Sequence, residues 1–168
     1  MTKLPQEIFK AYDIRGIVDK SLTETVTNQI GQAIGTEATL AGDRSVVIGR
    51  DGRLSGPSLA TALSEGIRST GCDVIDIGMV PTPVTYFATH HLETGSAVSI
   101  TGSHNPPEYN GLKVMIAGET LAGDRIQMLR KRIEKQDLLS GNGSHHYESV
   151  IEAYAARITG DITLQRPL

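Results

Sequence analysis

The sequence predicts an α/β fold, a three-layer α/β/α domain built on a mostly parallel mixed sheet of about four strands, one of them antiparallel. Three observations lead there. Short runs of aliphatic and β-branched residues at 45–49, 73–78 and 96–100 alternate with longer stretches whose apolar residues recur in steps of three and four. Aromatic content is only 4% and there is no Trp, so the core must be aliphatic, which suits helices packed on a sheet of branched residues. The length of 168 residues fits one such domain and is short for two.

Taken in order, residues 9–14 form a short strand or extended lead-in that Arg15-Gly16 ends. From Thr23 to about Ala41, Val26, Ile30, Ala33, Ile34 and Ala38 mark one helical face, with Thr23 as N-cap and Gly42 as stop. The strand 45–49 follows. Ser55 with Pro57 starts a second helix that turns Leu59, Leu63 and Ile67 inward and ends at Gly71. After the strand 73–78, Pro81-Thr-Pro83 opens a helix to about Leu92, and the strand 96–100 comes next.

Residues 112–117 read as another strand. Its connection to 96–100 holds no helix, so this pair is expected to be antiparallel, whereas the other strands are joined by right-handed crossovers. A helix is expected over 123–135, with Ile126, Leu129, Arg130 and Ile133 at helical spacing. Residues 140–144 read as a flexible loop, and 148–158 as a last helix. Gln165 to Leu168 ends the chain without a closing element.

A net charge of −3 gives no electrostatic reason to expect nucleic acid or an anionic membrane as partner. No apolar run is long enough to span a bilayer, and the N-terminus lacks a signal-peptide apolar region, so the cytoplasm is the expected compartment. The single cysteine, Cys72, excludes an internal disulfide framework and reads as a small residue at a strand start. The pairs His90-His91 and His145-His146 lack Cys or carboxylate partners at ligand spacing, so a zinc site is rejected. Neither GxxxxGK[ST] nor GxGxxG occurs, which removes the P-loop and the dinucleotide fingerprint.

The densest chemistry lies in Thr101-Gly-Ser-His-Asn-Pro-Pro-Glu-Tyr-Asn-Gly-Leu-Lys113, between two strands. It holds a hydroxyl nucleophile, an imidazole, an amide and an ammonium within thirteen residues of one another. Ser103 needs a base or a charged neighbourhood to act, and His104 and Lys113 would supply one if the loop folds back. Asn105-Pro-Pro107 stiffens the backbone just after it. On the residues alone, this is either a presented nucleophile or a polar Gly/Pro turn linking two strands. Tyr12 likewise reads as a half-buried packing residue and Arg15 as a surface charge. Arg50, Asp51 and Arg53 form a charged turn before a helix. We read it as Asp51 pairing with an Arg and bracing the neighbouring loop, in preference to a phosphate site.

Thr101-Gly-Ser-His-Asn-Pro106 followed by Asn110-Gly-Leu-Lys113 resembles the phosphoserine loop of the α-D-phosphohexomutases, most closely the bacterial phosphomannomutase/phosphoglucomutase branch. Phe9-Lys-Ala-Tyr-Asp-Ile-Arg-Gly16, Gly49-Arg-Asp-Gly-Arg-Leu-Ser-Gly56, Gly78-Met-Val-Pro-Thr-Pro83 and Ala117-Gly-Glu-Thr-Leu121 are similar to further family segments, in family order. The resemblance implies two phosphoryl transfers that interconvert a hexose 1-phosphate and 6-phosphate, of mannose or glucose or both. They pass through a bisphosphorylated sugar, with phosphorylated Ser103 as donor. It implies His104, Lys113 and Arg15 as its catalytic company, and Tyr12 with Arg15 as groups on the substrate. It also implies Mg²⁺, with a Ser103 phosphate oxygen as one ligand, and a hexose bisphosphate as activator or intermediate.

The family's enzymes have four domains, and residues 1–168 resemble the first. We therefore expect domains II to IV, with the rest of the magnesium site and the sugar-reading groups, to lie outside this chain. Alone it should be inactive or nearly so. The alternative is a non-enzymatic domain that carries or binds phosphate through the same loop together with another chain.

Overall fold

The computed structural model describes residues 4–163, and the expectation for 165–168 lies outside them. A 3-10 turn at Gln6–Ile8 leads into strand β1 (Ile14–Ile17). Helix α1 (Glu24–Leu40), strand β2 (Ser45–Arg50), helix α2 (Gly56–Arg68), strand β3 (Asp73–Met79) and helix α3 (Thr82–His91) follow. Then come β4 (Ser96–Ile100), β5 (Tyr109–Ile116), β6 (Glu119–Thr120), helix α4 (Asp124–Lys135), β7 (His145–Tyr147) and helix α5 (Ile151–Asp161). Thr23 caps α1 as expected, its hydroxyl accepting from the Val26 N–H at 3.2 Å.

The sheet has seven strands, not about four, in the order β1-β5-β4-β2-β3-β7 with β6 paired to β5. The fold class holds, and so does the single reversed strand. β5 pairs antiparallel with β1, β4 and β6, while β2–β3, β2–β4 and β3–β7 are parallel, so β5 alone runs against the rest. β3 and β4 flank β2 on opposite sides. Right-handed crossovers from β2 to β3 and from β3 to β4 therefore place α2 and α3 on opposite faces.

One face is sealed by α1, α2 and α4 over Ile14, Val46, Ile48, Val98, Ile100, Leu112 and Val114. The other carries a smaller apolar cluster of Val47, Ile75, Ile77, Ala97 and the α3 residues Val84 and Ala88. Val150 and Tyr154 join it, with the Tyr154 ring edge-on to Phe87 at 5.3 Å. No residue of β1 or β5 enters this second cluster. The α3 side of the sheet is therefore left polar at β1 and the start of β5.

Three boundaries differ from expectation. The first strand lies at Ile14–Ile17 and not at 9–14, because Arg15 and Gly16 belong to it, opposite Gly111 and Asn110 of β5. β5 starts at Tyr109, three residues before the apolar run, where it first meets Ile17. α5 begins at Ile151 and not at 148, since the Glu148 N–H still donates to the Asp76 carbonyl of β3 at 2.9 Å just after β7. Residues 140–144 are a loop, as expected, and hydrogen bonds tie it to the α2–β3 connection. The N–H groups of Gly141 and Gly143 donate to the Ser69 and Arg68 carbonyls, both at 2.8 Å. The Ser144 N–H and hydroxyl both donate to Asp73, which holds that carboxyl below the usual range. Their glycines permit close passage, since a Cβ on Gly143 would sit 2.0 Å from the Cys72 carbonyl oxygen.

Cys72 stands just before β3 and is 1% exposed, as its reading as a packing residue requires. Burial pushes its thiol up to about 11. The thiolate is the reactive form. Native protein should therefore give no fast reaction with a disulfide reagent at pH 8 and one full equivalent in denaturant. Rapid native labelling would contradict this burial.

Candidate active site at the carboxyl end of the sheet

The loop 101–108 leaves β4 at the carboxyl ends of the parallel strands, where open α/β sheets admit ligands. The turn 102–105 closes with the Asn105 N–H donating to the Gly102 carbonyl at 3.0 Å. Ser103 occupies its second position with φ +52°. A non-glycine residue in the left-handed region costs roughly 1–2 kcal/mol and persists only where its surroundings hold it. The Thr101 hydroxyl accepts from the Ser103 N–H at 2.9 Å, and the Asn105 side chain donates to the Gly102 carbonyl at 3.1 Å.

Ser103 and His104 are exposed, and the Ser103 Oγ lies 3.4 Å from His104 Nδ1. At that distance the imidazole is placed to exchange a proton with the hydroxyl once a ligand tightens the geometry. Arg15 joins the loop from β1, its Nη1 donating to the Gly102 carbonyl at 2.8 Å. Its other donors engage Asp13, which fixes the guanidinium edge.

The register shows which groups share a face. Arg15 stands opposite Gly111, and Lys113, two residues on, stands opposite Ser99. Residues at even spacing along a strand share a side, so Arg15, Ser99 and Lys113 lie on the α3 side of the sheet, Ser99 buried beneath the start of α3. The Ser99 and Thr82 hydroxyls meet there at 3.1 Å. Of the residues predicted from sequence, Ser103, His104, Arg15 and Lys113 are thus gathered at one end of the sheet. Tyr12, 78% exposed, sits in the segment leading to β1 and packs as no core residue, contrary to its reading from the residues alone.

Beneath the loop lies the charged turn after β2, and its bracing role is borne out. Asp51 accepts from the N–H groups of Gly102 and Arg53, each at 3.0 Å. The Arg53 guanidinium donates to the carbonyls of Ser103, Asn105, Pro106 and Tyr109 at 3.2, 2.6, 2.7 and 2.9 Å. Asn110, fully buried, ties the far end of the loop to the Ser55 hydroxyl at 2.9 Å. Neither the reach of Arg53 nor the role of Asn110 was foreseen. Among the described residues no group of three or more His, Cys, Asp or Glu could hold a metal ion.

The chain is similar to several known proteins. The family model described as phosphoglucomutase/phosphomannomutase, alpha/beta/alpha domain I, matches residues 6–140. The chain is 52% identical over 165 residues to a phosphomannomutase/phosphoglucomutase of Pseudomonas aeruginosa, covering 98% of this chain and 36% of that protein. It is 46% identical over 170 residues to a phosphoglucomutase of Neisseria meningitidis, covering all of this chain and 37% of that one. It superposes on a solved phosphoglucomutase/phosphomannomutase family protein from Burkholderia thailandensis with a TM-score of 0.94 at 48% identity, over 99% of this chain and 38% of that one. The chain therefore spans little more than a third of the length of the relatives it matches.

Proposed function

Since the chain belongs to the phosphoglucomutase/phosphomannomutase family as its α/β/α domain I, we propose that it is the phosphoserine domain of a longer phosphohexomutase. That enzyme interconverts the 1- and 6-phosphates of mannose or glucose, with domains II to IV supplying the rest of the site and the cytoplasm as its place of work. The observation that carries this reading is the exposed Ser103 hydroxyl, held in a left-handed turn beside the polar face of Arg15 and Lys113.

The transfer balances on this chain's atoms. As a sugar hydroxyl oxygen bonds to phosphorus, the bond from phosphorus to Ser103 Oγ breaks. The sugar's proton ends on Oγ, with His104 as the relay. The second half-reaction reverses these bonds at the sugar's other phosphate. Lys113 and Arg15 offset charge on the phosphoryl oxygens, where most of the catalysis of such a transfer resides. Tyr12 lies against the sugar. The hard oxygens of a Ser103 phosphate suit Mg²⁺, which would neutralise phosphoryl charge with its other ligands drawn from outside this chain.

Peptide mapping of the whole mutase by mass spectrometry tests the assignment. One phosphate is expected on the peptide spanning 101–113, at Ser103, after exposure to hexose bisphosphate. A phosphate found reproducibly on another residue, with Ser103 always bare, would overturn it.

A further inference from the structure

The loop could be tied down by many weak contacts, yet its hold passes mainly through one side chain. Arg53 directs two nitrogens at four carbonyl oxygens of the loop, and Asp51 lies 3.5 Å from its Nε while binding the Gly102 N–H. Gly102 is shaped around that guanidinium, because a Cβ there would fall 1.9 Å from Arg53 Nε. One of the four carbonyls belongs to Ser103, the residue in the left-handed conformation. Arg53 takes no part in either apolar cluster.

We infer that Arg53, oriented by Asp51, is a positioning residue for phosphoryl transfer. By fixing the carbonyls on both sides of His104, it sets the direction in which Ser103 Oγ is presented to the face of Arg15 and Lys113. This rests on the phosphoserine reading above. A planar fork of donors can serve four carbonyls from below, whereas a lysine ammonium is a point donor on a flexible stem and cannot reproduce it. The Arg53 guanidinium donates to backbone carbonyls of the loop between Ser103 and Tyr109, and none of these bonds goes to Arg15 or Lys113. Its loss should therefore lower the rate of the chemical step and leave substrate binding alone.

The test compares Arg53→Lys, Arg53→Ala and Gly102→Ala with the unaltered full-length mutase. A misplacement of order 1 Å lowers transfer rates about 10²-fold, and that fall in kcat is expected for all three, with KM for the hexose phosphate within about threefold. Added methylguanidinium should raise kcat of Arg53→Ala by about tenfold, the chemical rescue of a lost orienting group. Unchanged kcat in Arg53→Lys would overturn the proposal. So would a raised KM at constant kcat, which would make Arg53 a binding group. A fall in kcat that tracks thermal unfolding and ignores methylguanidinium would reduce it to a structural brace. Should Arg53→Ala fail to fold, Gly102→Ala and Arg53→Lys still carry the kcat comparison. Ser103→Ala is assayed beside them, and wild-type activity in that variant would sink the phosphoserine reading itself.

Discussion

Ser103→Ala in the whole mutase is expected to lower kcat by at least about 10³-fold, some 4 kcal/mol of transition-state stabilisation, with KM for hexose phosphates changed only a few-fold. The size of the effect follows from the kind of role proposed. A group that merely contacts substrate contributes part of a barrier, whereas a group that carries the phosphoryl between half-reactions has no substitute within reach. The His104 imidazole, 3.4 Å from Oγ, is the nearest other nucleophile, but it belongs to an exposed side chain at the third position of the same turn. Removing the hydroxyl leaves the turn's own bonds intact, since they run through the Ser103 N–H and carbonyl. Stability should therefore be nearly unchanged, and loss of activity with an unshifted thermal midpoint is the result that isolates the chemistry. Coupled assays in both directions with added bisphosphate check it. Activity within tenfold of the unaltered enzyme would remove Ser103 from the mechanism.

The same residues explain why part of the site was legible in the sequence. Ser103, His104 and Lys113 lie within eleven residues, and their chemistry is written in their side chains. Arg53 is fifty residues away from Ser103 and, beyond its ion pair with Asp51, reaches the loop through backbone carbonyls. A side chain that binds backbone leaves no complementary residue type at the other end, so pattern alone cannot reveal the pair. Thr23, the buried strand 45–49 and the spacing of Leu59, Leu63 and Ile67 gave local structure directly, since caps and apolar periodicity are one-segment signals. β7 could not be found that way. His145, His146 and Tyr147 are all exposed, and only pairing with Val74, Ile75 and Asp76 makes them a strand. Gly141 and Gly143 are ambiguous in the sequence because glycine serves both freedom and close approach. Only the neighbouring backbone of Gly71 and Cys72 decides between the two.

That ambiguity yields the second large effect, at the seam where α1 crosses α2. A Cβ on Gly66 would lie 2.1 Å from the Asn28 carbonyl oxygen, and one on Gly31 would lie 2.4 Å from that of Leu63. The obstructing atoms are helix backbone, which cannot swing aside as a side chain would. The Asn28 side chain also donates to the Ala62 carbonyl at 3.2 Å, so parting the helices strands a polar group as well. Gly66→Ala gains up to about 1 kcal/mol of helix propensity. Forcing two packed helices apart costs more, typically 1–3 kcal/mol or beyond, so we expect a net loss of about 2 kcal/mol. For a domain of this length that lowers the thermal midpoint by about 4–8 °C. Gly160→Ala is the matched control. Gly160 lies in α5 with nothing within 4 Å of its Cβ position, so the same substitution there keeps only the propensity gain. Urea unfolding of both variants separates the two meanings of glycine in a helix. A shared upward shift would show that α1 and α2 can yield at the seam, and a shared downward shift would deny the open surface at Gly160.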